Sequence, residues 1–477
     1  MFDNLVINLQ NAMKGKKLIR VAHILDEGLE QTVVSIPQEV WYKYPTLGED
    51  YLKTKIPSYR PFPNINRDRE YTYDHLIWKV MASGYLSKME ETPIFMASKN
   101  STNLTEACKE FGFLELMPDY KLFKDLQYKN RLYLYGVDEE HGQIPNIQKK
   151  IKDTTYEEIV QILGENFVVQ YSFDISGWNT SGGRDVYFVH NKGDFLEAQK
   201  DARDIEAKIS KFIEGPSFSI IAVAMERGTF VSDFYMQIIG APELGATNTM
   251  YGGVDFTKFA EYKDRIEPQL KKIVKNIGAK IYGKNFKGSF GIDFIYNIKD
   301  SKVYVSEINP RFVGSSDMVN FLYKRANKMP QLYLHFAEYL DCVSEDFDVL
   351  EYERNVTGSF TGSFLYMKNL TGKTIQIKSA PKPGIYKFEE NDVKFLRDGY
   401  DISELNEPDT FILYNVEVLQ RNIDNAEGIC KIQTLESAIE SNSVLNEKYR
   451  MIVKKVYEKF EFLPAGSYDS SVPYDAA

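Results

Sequence analysis

The chain has 477 residues, 43% of them hydrophobic, enough for about three domains with substantial cores. With 58 Lys+Arg against 68 Asp+Glu the net charge is −10 and the only dense basic run is Lys14–Lys17, which argues against nucleic acid as a partner. No run approaches the ~18 apolar residues of a membrane span, Cys108, Cys342 and Cys430 lie far apart without zinc spacing, and the basic residues near the N-terminus follow its apolar ones, unlike a secretion signal. A cytoplasmic, multidomain protein with no membrane partner is expected.

Residues 1–118 read as an α/β region. "KKLIRVAHIL" and "TPIFMAS" (Thr92–Ser98) are short apolar runs fit for strands, and "TNLTEACKEFG" is a helix ending at Gly112. Neither strand is followed by a Gly-x-Gly-x-x-Gly, so a dinucleotide site there has no support. "SYRPFPNINRD" (Ser58–Asp68) reads as an irregular loop. From Asp119 a second region begins, with Lys129 opening a helix and "NFVVQYSF" (Asn166–Phe173) and "VYFVHN" as strands around the loop "SGWNTSGGRD". Asp194 and Glu197 have capping-box spacing at the head of another helix. "KISKFIEG" and "SFSIIAVAMERGTFVSDFYMQIIG" read as strands with Arg227-Gly228 at a turn. Ile266, Leu270, Ile273, Val274, Ile277 and Ile281 recur at helical spacing. Beyond about Val349 a third region is strand-rich and closes with a long helical pattern, "TLESAIESNSVLNEKYRMIVKKVYEKF"; residues 464–477 read as a disordered tail.

The chemistry concentrates in "GSFGIDFIYNIKDSKVYVSEINPRFVGSS" (Gly288–Ser316). Strict alternation puts Gly291, Asp293 and Ile295 on one side of a strand and Val303, Val305, Glu307 and Asn309 on one side of its partner. Pairing then brings Asp293, Glu307 and Asn309 onto one sheet face, an oxygen-rich set suited to Mg²⁺. Arg311 adds a fixed cation with a planar donor fork. Without a metal, each carboxylate at 4 Å from a phosphate charge faces about 4 kcal/mol of repulsion at an effective dielectric near 20, so a bound phosphate implies a cation. In "NTSGGRD", Gly182 and Gly183 leave backbone N–H groups free to approach an anion, and Ser181 adds a hydroxyl donor; an ordinary Gly-Gly hairpin tip is the alternative.

In order and spacing, residues 119–344 resemble the ATP-grasp superfamily, the fold of biotin carboxylase, carbamoyl phosphate synthetase and D-alanine–D-alanine ligase. "GIDF…VSEINPR" is similar to its metal-binding core, "VVQ…SGGRDVYFV" to its lysine strand and glycine loop, and "KFIEG" to the hinge that holds adenine. The resemblance implies an α/β and α+β chain: a pre-grasp domain (1–118), an ATP-grasp domain (119–345) with a mobile lid (155–213), and a strand-rich C-terminal domain (346–463). It implies ATP with Mg²⁺ or Mn²⁺ on Asp293, Glu307 and Asn309, and Arg311 as the catalytic cation. Phosphates would lie against Lys129, Gln170, Ser181, Gly182 and Gly183, and the nucleoside against Phe212, Ile213, Glu214 and Ser217. Arg311, Gly314, Ser315, Ser316 and residues of the loop Gly240–Phe256, which faces the phosphates in this family, would meet the substrate. Two positions depart from the family pattern: Gln170 stands where a lysine is usual, and Ser217 where a ribose-binding Glu is usual. The implied reaction joins a carboxylic acid, amino acids included, to an amine through an acyl phosphate. Loading of a carrier-protein thiol, bicarbonate as the acid, or a silent nucleotide-binding role are the alternatives, and a homodimer is compatible with all of them.

Overall fold

In the computed structural model, residues 2–24, 36–44, 59–61, 84, 86–97, 100–171, 186–200, 204–246, 249–358, 360–417 and 422–466 are described. A parallel sheet comes first: β1 (Lys16–Ile24), β2 (Gln38–Tyr44), β3 (Tyr59–Pro61), β4 (Thr92–Ala97) and β5 (Leu114–Glu115), in the order β3-β2-β1-β4-β5. Leu18, Ile19 and Val21 in β1 and Ile94 to Ala97 in β4 are buried, as a sheet covered on both faces requires. The helix Thr102–Phe111 crosses from β4 to β5. Ser101 Oγ accepts from Leu104 N at 3.1 Å to cap its start, and Gly112, at φ 69°, closes it in the left-handed conformation that glycine adopts without a Cβ penalty.

An antiparallel sheet follows, β6 (Asn146–Lys149), β7 (Phe167–Gln170), β8 (Val186–Val189) and β9 (Ala207–Lys211), in the order β6-β9-β7-β8. Phe167, Val169, Ala207 and Ile209 pack with Ile159 and Phe195 of the helices Tyr156–Leu163 and Lys192–Lys200. Alternation therefore sends Val168, Gln170, Lys208 and Ser210 to the other face. The second helix starts earlier than the Asp194/Glu197 spacing suggested. Asn191 Oδ1 accepts from Gly193 N at 2.8 Å and Asp194 N at 3.1 Å, while Asp194 reaches back to His190 N at 2.9 Å. The reciprocal cap is thus Asn191 with Asp194, because asparagine caps as well as aspartate.

The largest sheet is built from β10 (Ser217–Met225), β11 (Gly228–Val231), β12 (Tyr235–Ile239), β13 (Tyr251–Asp255), β14 (Gly288–Asn297), β15 (Lys302–Asn309) and β16 (Ser363–Lys368). Apart from β17 (Ile375–Ser379) and β21 (Asn422–Ile423), which pair in a separate small sheet, it continues with β18 (Gly384–Glu389), β19 (Asp392–Arg397), β20 (Thr410–Tyr414) and β22 (Gly428–Thr434). Its path is β15-β14-β10-β12-β13-β16-β22-β20-β18-β19, with β11 on β10. The strand-rich third region thus continues the same sheet through β13 and β16. Asp255 fixes that seam, accepting from Ser363 Oγ and Ser437 Oγ at 2.8 Å and Ala438 N at 3.0 Å. The helix Lys263–Tyr282 buries the six expected apolar residues against β10 and β11.

The closing helical pattern is only half helix. Ile439–Ser441 and Val444–Leu445 form a hairpin, β23 and β24, and the helix is Glu447–Tyr457, followed by β25 (Glu461–Pro464), which pairs with β17 beside β21. Asn442 and Ser443 favour a turn over helix, and Asn446 caps the helix by accepting from Tyr449 N at 3.0 Å.

His335, on the helix Leu332–Tyr339, joins β14 to the chain leaving β5. Its Nδ1 accepts from Ser289 N at 3.0 Å and its Nε2 donates to Leu116 O at 2.9 Å, a neutral ring with a fixed tautomer. Burial holds it down at about 4, against an ordinary 6.5. Since the unfolded chain takes up the proton first, the neutral ring's contribution is complete above the ordinary value. It is lost as pH falls toward about 4, ~3 kcal/mol in all. In urea unfolding, the stability gap between wild type and His335→Gln is expected to narrow by about that amount from about pH 7 to about pH 4.

Candidate active site

β14 and β15 pair antiparallel, with Gly291 opposite Asn309 and Asp293 opposite Glu307. The next partners are Phe294 and Val305, so Ser306 is the extra residue of a β-bulge. The bulge overturns strict alternation along β15. Val303 and Val305 turn into the core with Ile308, while Glu307 and Asn309 turn to the face that carries Asp293. One inserted residue lets a buried strand end in a polar site.

Asp293 sits at the centre. Its Oδ1 accepts from Ser219 Oγ at 2.6 Å and Gln237 Nε2 at 3.0 Å, and its Oδ2 from Asn309 Nδ2 at 3.1 Å. Desolvation, with the nearby Glu307 charge, still pushes its carboxyl up to about 6. Such a carboxylate gains from a cation beside it. Asn309 Oδ1 accepts from Arg311 Nη2 at 3.1 Å, and Arg311 Nη1 donates to Phe312 O at 3.0 Å, so the guanidinium is held by its own turn. Asn309 thereby links carboxylate to guanidinium. Among the described residues no group of three or more His, Cys, Asp or Glu is placed to hold an ion. The donor set of two carboxylates and an amide nevertheless fits Mg²⁺, which is bound through one or two carboxylates and completes its shell with water and phosphate.

Two lysines face this hairpin. Lys129 opens the 3-10 helix Lys129–Tyr135, which packs against β9 and β15, and its Nζ lies 3.7 Å from Glu307 Oε2. Lys208, on β9, is 4% exposed; burial, then the charge of Lys129, pulls it down to about 8, with Glu307 opposing. The sequence reading passed over Lys208. Its only signal was a lysine inside the alternating strand "AKISK", and its neighbours depend on strand register. Gln170 stands directly opposite it.

The segment Phe212–Glu214 links β9 to β10. Ile213 is buried and Phe212 meets the rings of Phe188 and His190 edge-on at 5.6 and 5.3 Å. Glu214 pairs at the surface with Lys299 of the hairpin tip at 2.7 Å. A Cβ on Gly215 would lie 1.9 Å from the Tyr296 carbonyl oxygen, so only glycine lets this linker pass against β14. Ser217 begins β10 opposite Ile295. Ser315 and Ser316 are buried and already engaged: Ser315 Oγ with Tyr235 OH at 2.6 Å, and Ser316 Oγ accepting from Val313 N at 2.9 Å. A Cβ on Gly314 would meet the Tyr251 ring at 3.8 Å, an ordinary van der Waals contact. Ser181, Gly182 and Gly183 lie outside the described residues. Ser219, Gln237 and Tyr235, which complete the surroundings of Asp293 and Ser315, carry no linear signal because β10 and β12 bring them in from more than fifty residues away.

Residues 153–315, which include Gln170, Lys208, Asp293, Glu307, Asn309 and Arg311 but not Lys129, match the family of the ATP-grasp domain. The chain contains an ATP-grasp domain. Among solved structures similar to it is the N5-carboxyaminoimidazole synthase of Aspergillus clavatus with ADP and 5-aminoimidazole ribonucleotide, at 11% identity and TM-score 0.54, covering 89% of this chain and 95% of that one. The biotin carboxylase domain dimer of Hydrogenobacter thermophilus 2-oxoglutarate carboxylase, with MgADP and bicarbonate, is similar at 12% identity and TM-score 0.57, covering 94% and 90%. The L-amino acid ligase of Bacillus licheniformis is similar at 13% identity and TM-score 0.51, covering 94% and 98%. No curated protein matches the sequence. At these identities the likeness is one of fold, and it extends beyond the ATP-grasp domain to the parallel sheet before it and the strands after it. No helix among the described residues is long and apolar enough to cross a membrane.

Proposed function

We propose that the protein is an ATP-dependent ligase that activates a substrate carboxylate as an acyl phosphate and joins it to an amine, releasing ADP and phosphate. The observation that carries this reading is the Asp293–Glu307 pair on adjacent strands, with Arg311 tied to it through Asn309. Mg²⁺ held there by Asp293 and Glu307, with Asn309 beside them, would neutralise phosphate charge. A substrate carboxylate oxygen forms a bond to the γ-phosphorus as the bond to the ADP oxygen breaks. The amine then attacks the acyl carbon, phosphate leaves with the electron pair of the broken C–O bond, and the amine sheds a proton to solvent. Arg311 offers charge and donors to the oxygens that gain negative charge in both steps. Lys129, 3.7 Å from Glu307, adds a cation toward the phosphates. The Phe212–Glu214 linker edges the adenine, and residues 155–213 act as the lid that closes over the phosphates and keeps water from the acyl phosphate.

The similar structures support an ADP-forming site whose second half varies: one holds 5-aminoimidazole ribonucleotide, another bicarbonate, and a third is named for amino acid ligation. Small acids and amines, amino acids among them, are the substrates we assign here. The test is ADP release from Mg-ATP in the presence of pooled amino acids and other small carboxylates, with and without pooled amines. Release that requires both pools supports amide formation. Tight ATP binding without turnover in any pool contradicts it.

A further inference from the structure

We propose that Lys208 is a phosphate-contacting cation of this site, moved across one strand pair from the position that Gln170 occupies. The inference rests on the nucleotide-binding reading above and adds a residue to it. Register carries it: Gln148 of β6, Lys208 of β9 and Gln170 of β7 form one row across three neighbouring strands, on the face turned away from the lid's apolar core. A side chain at 208 therefore covers the same patch as one at 170.

Burial gives the second argument. Lys208 is 4% exposed, and among the described residues its ammonium has neither a hydrogen-bond nor an ion-pair partner. Its charged neighbours are Lys129, which repels it, and Glu307, whose carboxylate already lies 3.7 Å from Lys129. A lysine side chain buried this far, its ammonium without a protein partner, is a cost that packing does not return. Lys129, Lys208 and Arg311 against Asp293 and Glu307 leave one positive charge in excess, and a divalent cation raises that excess. With a divalent cation bound the excess is three, which a multiply charged anion such as a nucleoside polyphosphate balances.

The test is calorimetric titration of the full chain with ADP and Mg²⁺, beside thermal melting, for wild type, Lys208→Met and the double variant Lys208→Met/Gln170→Lys. Lys208→Met is expected to weaken binding by about thirty-fold or more, the loss typical of a charged hydrogen bond. Its melting temperature is expected to hold or rise, because methionine fills the space without a charge; a purely structural lysine would do the reverse. The double variant, with a lysine restored one strand over, is expected to recover most of the affinity. Binding by Lys208→Met equal to wild type, or no recovery in the double variant, overturns the inference and leaves the ligase reading standing. Absence of binding by wild type overturns the ligase reading and this inference with it.

Discussion

Glu307→Gln is expected to lower Mg²⁺-dependent turnover by at least about a hundred-fold, ~3 kcal/mol of transition-state stabilisation, while the protein stays folded. Glutamine keeps the shape and a carbonyl oxygen but removes the charge that, with Asp293, would hold the divalent ion. Stability is spared for a definite reason. Glu307 is 30% exposed and its charge is one of the causes that push Asp293 up, so neutralising it relieves repulsion at the centre of the site. Its one ion pair among the described residues, with Lys129 at 3.7 Å, is too long to be a major loss. Steady-state ADP release across a Mg²⁺ titration, beside a thermal melt, measures both halves. Activity near wild type would contradict the metal assignment.

Arg311→Met is expected to cost about a thousand-fold in kcat with a much smaller change in KM, because a cation aimed at developing charge acts mainly in the transition state. The structure shows why lysine would be a poor replacement. Nη1 and Nη2 bond in two directions at once, to Phe312 O at 3.0 Å and Asn309 Oδ1 at 3.1 Å, which a single ammonium on a flexible stem does not reproduce. Initial rates over a range of ATP concentrations separate the two parameters. A variant that keeps a tenth of wild-type kcat would remove Arg311 from the chemistry.

The residues that could be read from the sequence are those whose placement depends on local pattern. Asp293 and Glu307 could be placed on neighbouring strands because two alternating segments are joined by the polar connection Asn297–Lys302, although their standing directly opposite each other needs the bulge at Ser306; the helix Lys263–Tyr282 shows its buried face in its spacing alone. What escaped depends on register and tertiary context. The bulge at Ser306 reverses the facing of half a strand without any glycine or proline to mark it. Lys208 carries no local signal, because its place opposite Gln170 and its burial follow from strand register. The hairpin Ile439–Leu445 carried apolar residues at helical spacing, yet Asn442, Ser443 and Asn446 made the turn and the cap cheaper than another turn of helix. Ser315 and Ser316, expected to meet substrate, each have a protein partner that no local pattern shows, Tyr235 OH for Ser315 and the Val313 backbone N–H for Ser316.

The central claim is that a divalent cation between β14 and β15 couples this fold to a nucleotide's phosphates. Titration calorimetry of the wild-type chain with a non-hydrolysable ATP analogue, in Mg²⁺ and in EDTA, tests it most directly. The account predicts binding that Mg²⁺ strengthens by at least about tenfold, ~1.4 kcal/mol. No binding in either condition, or equal affinity in both, would contradict it.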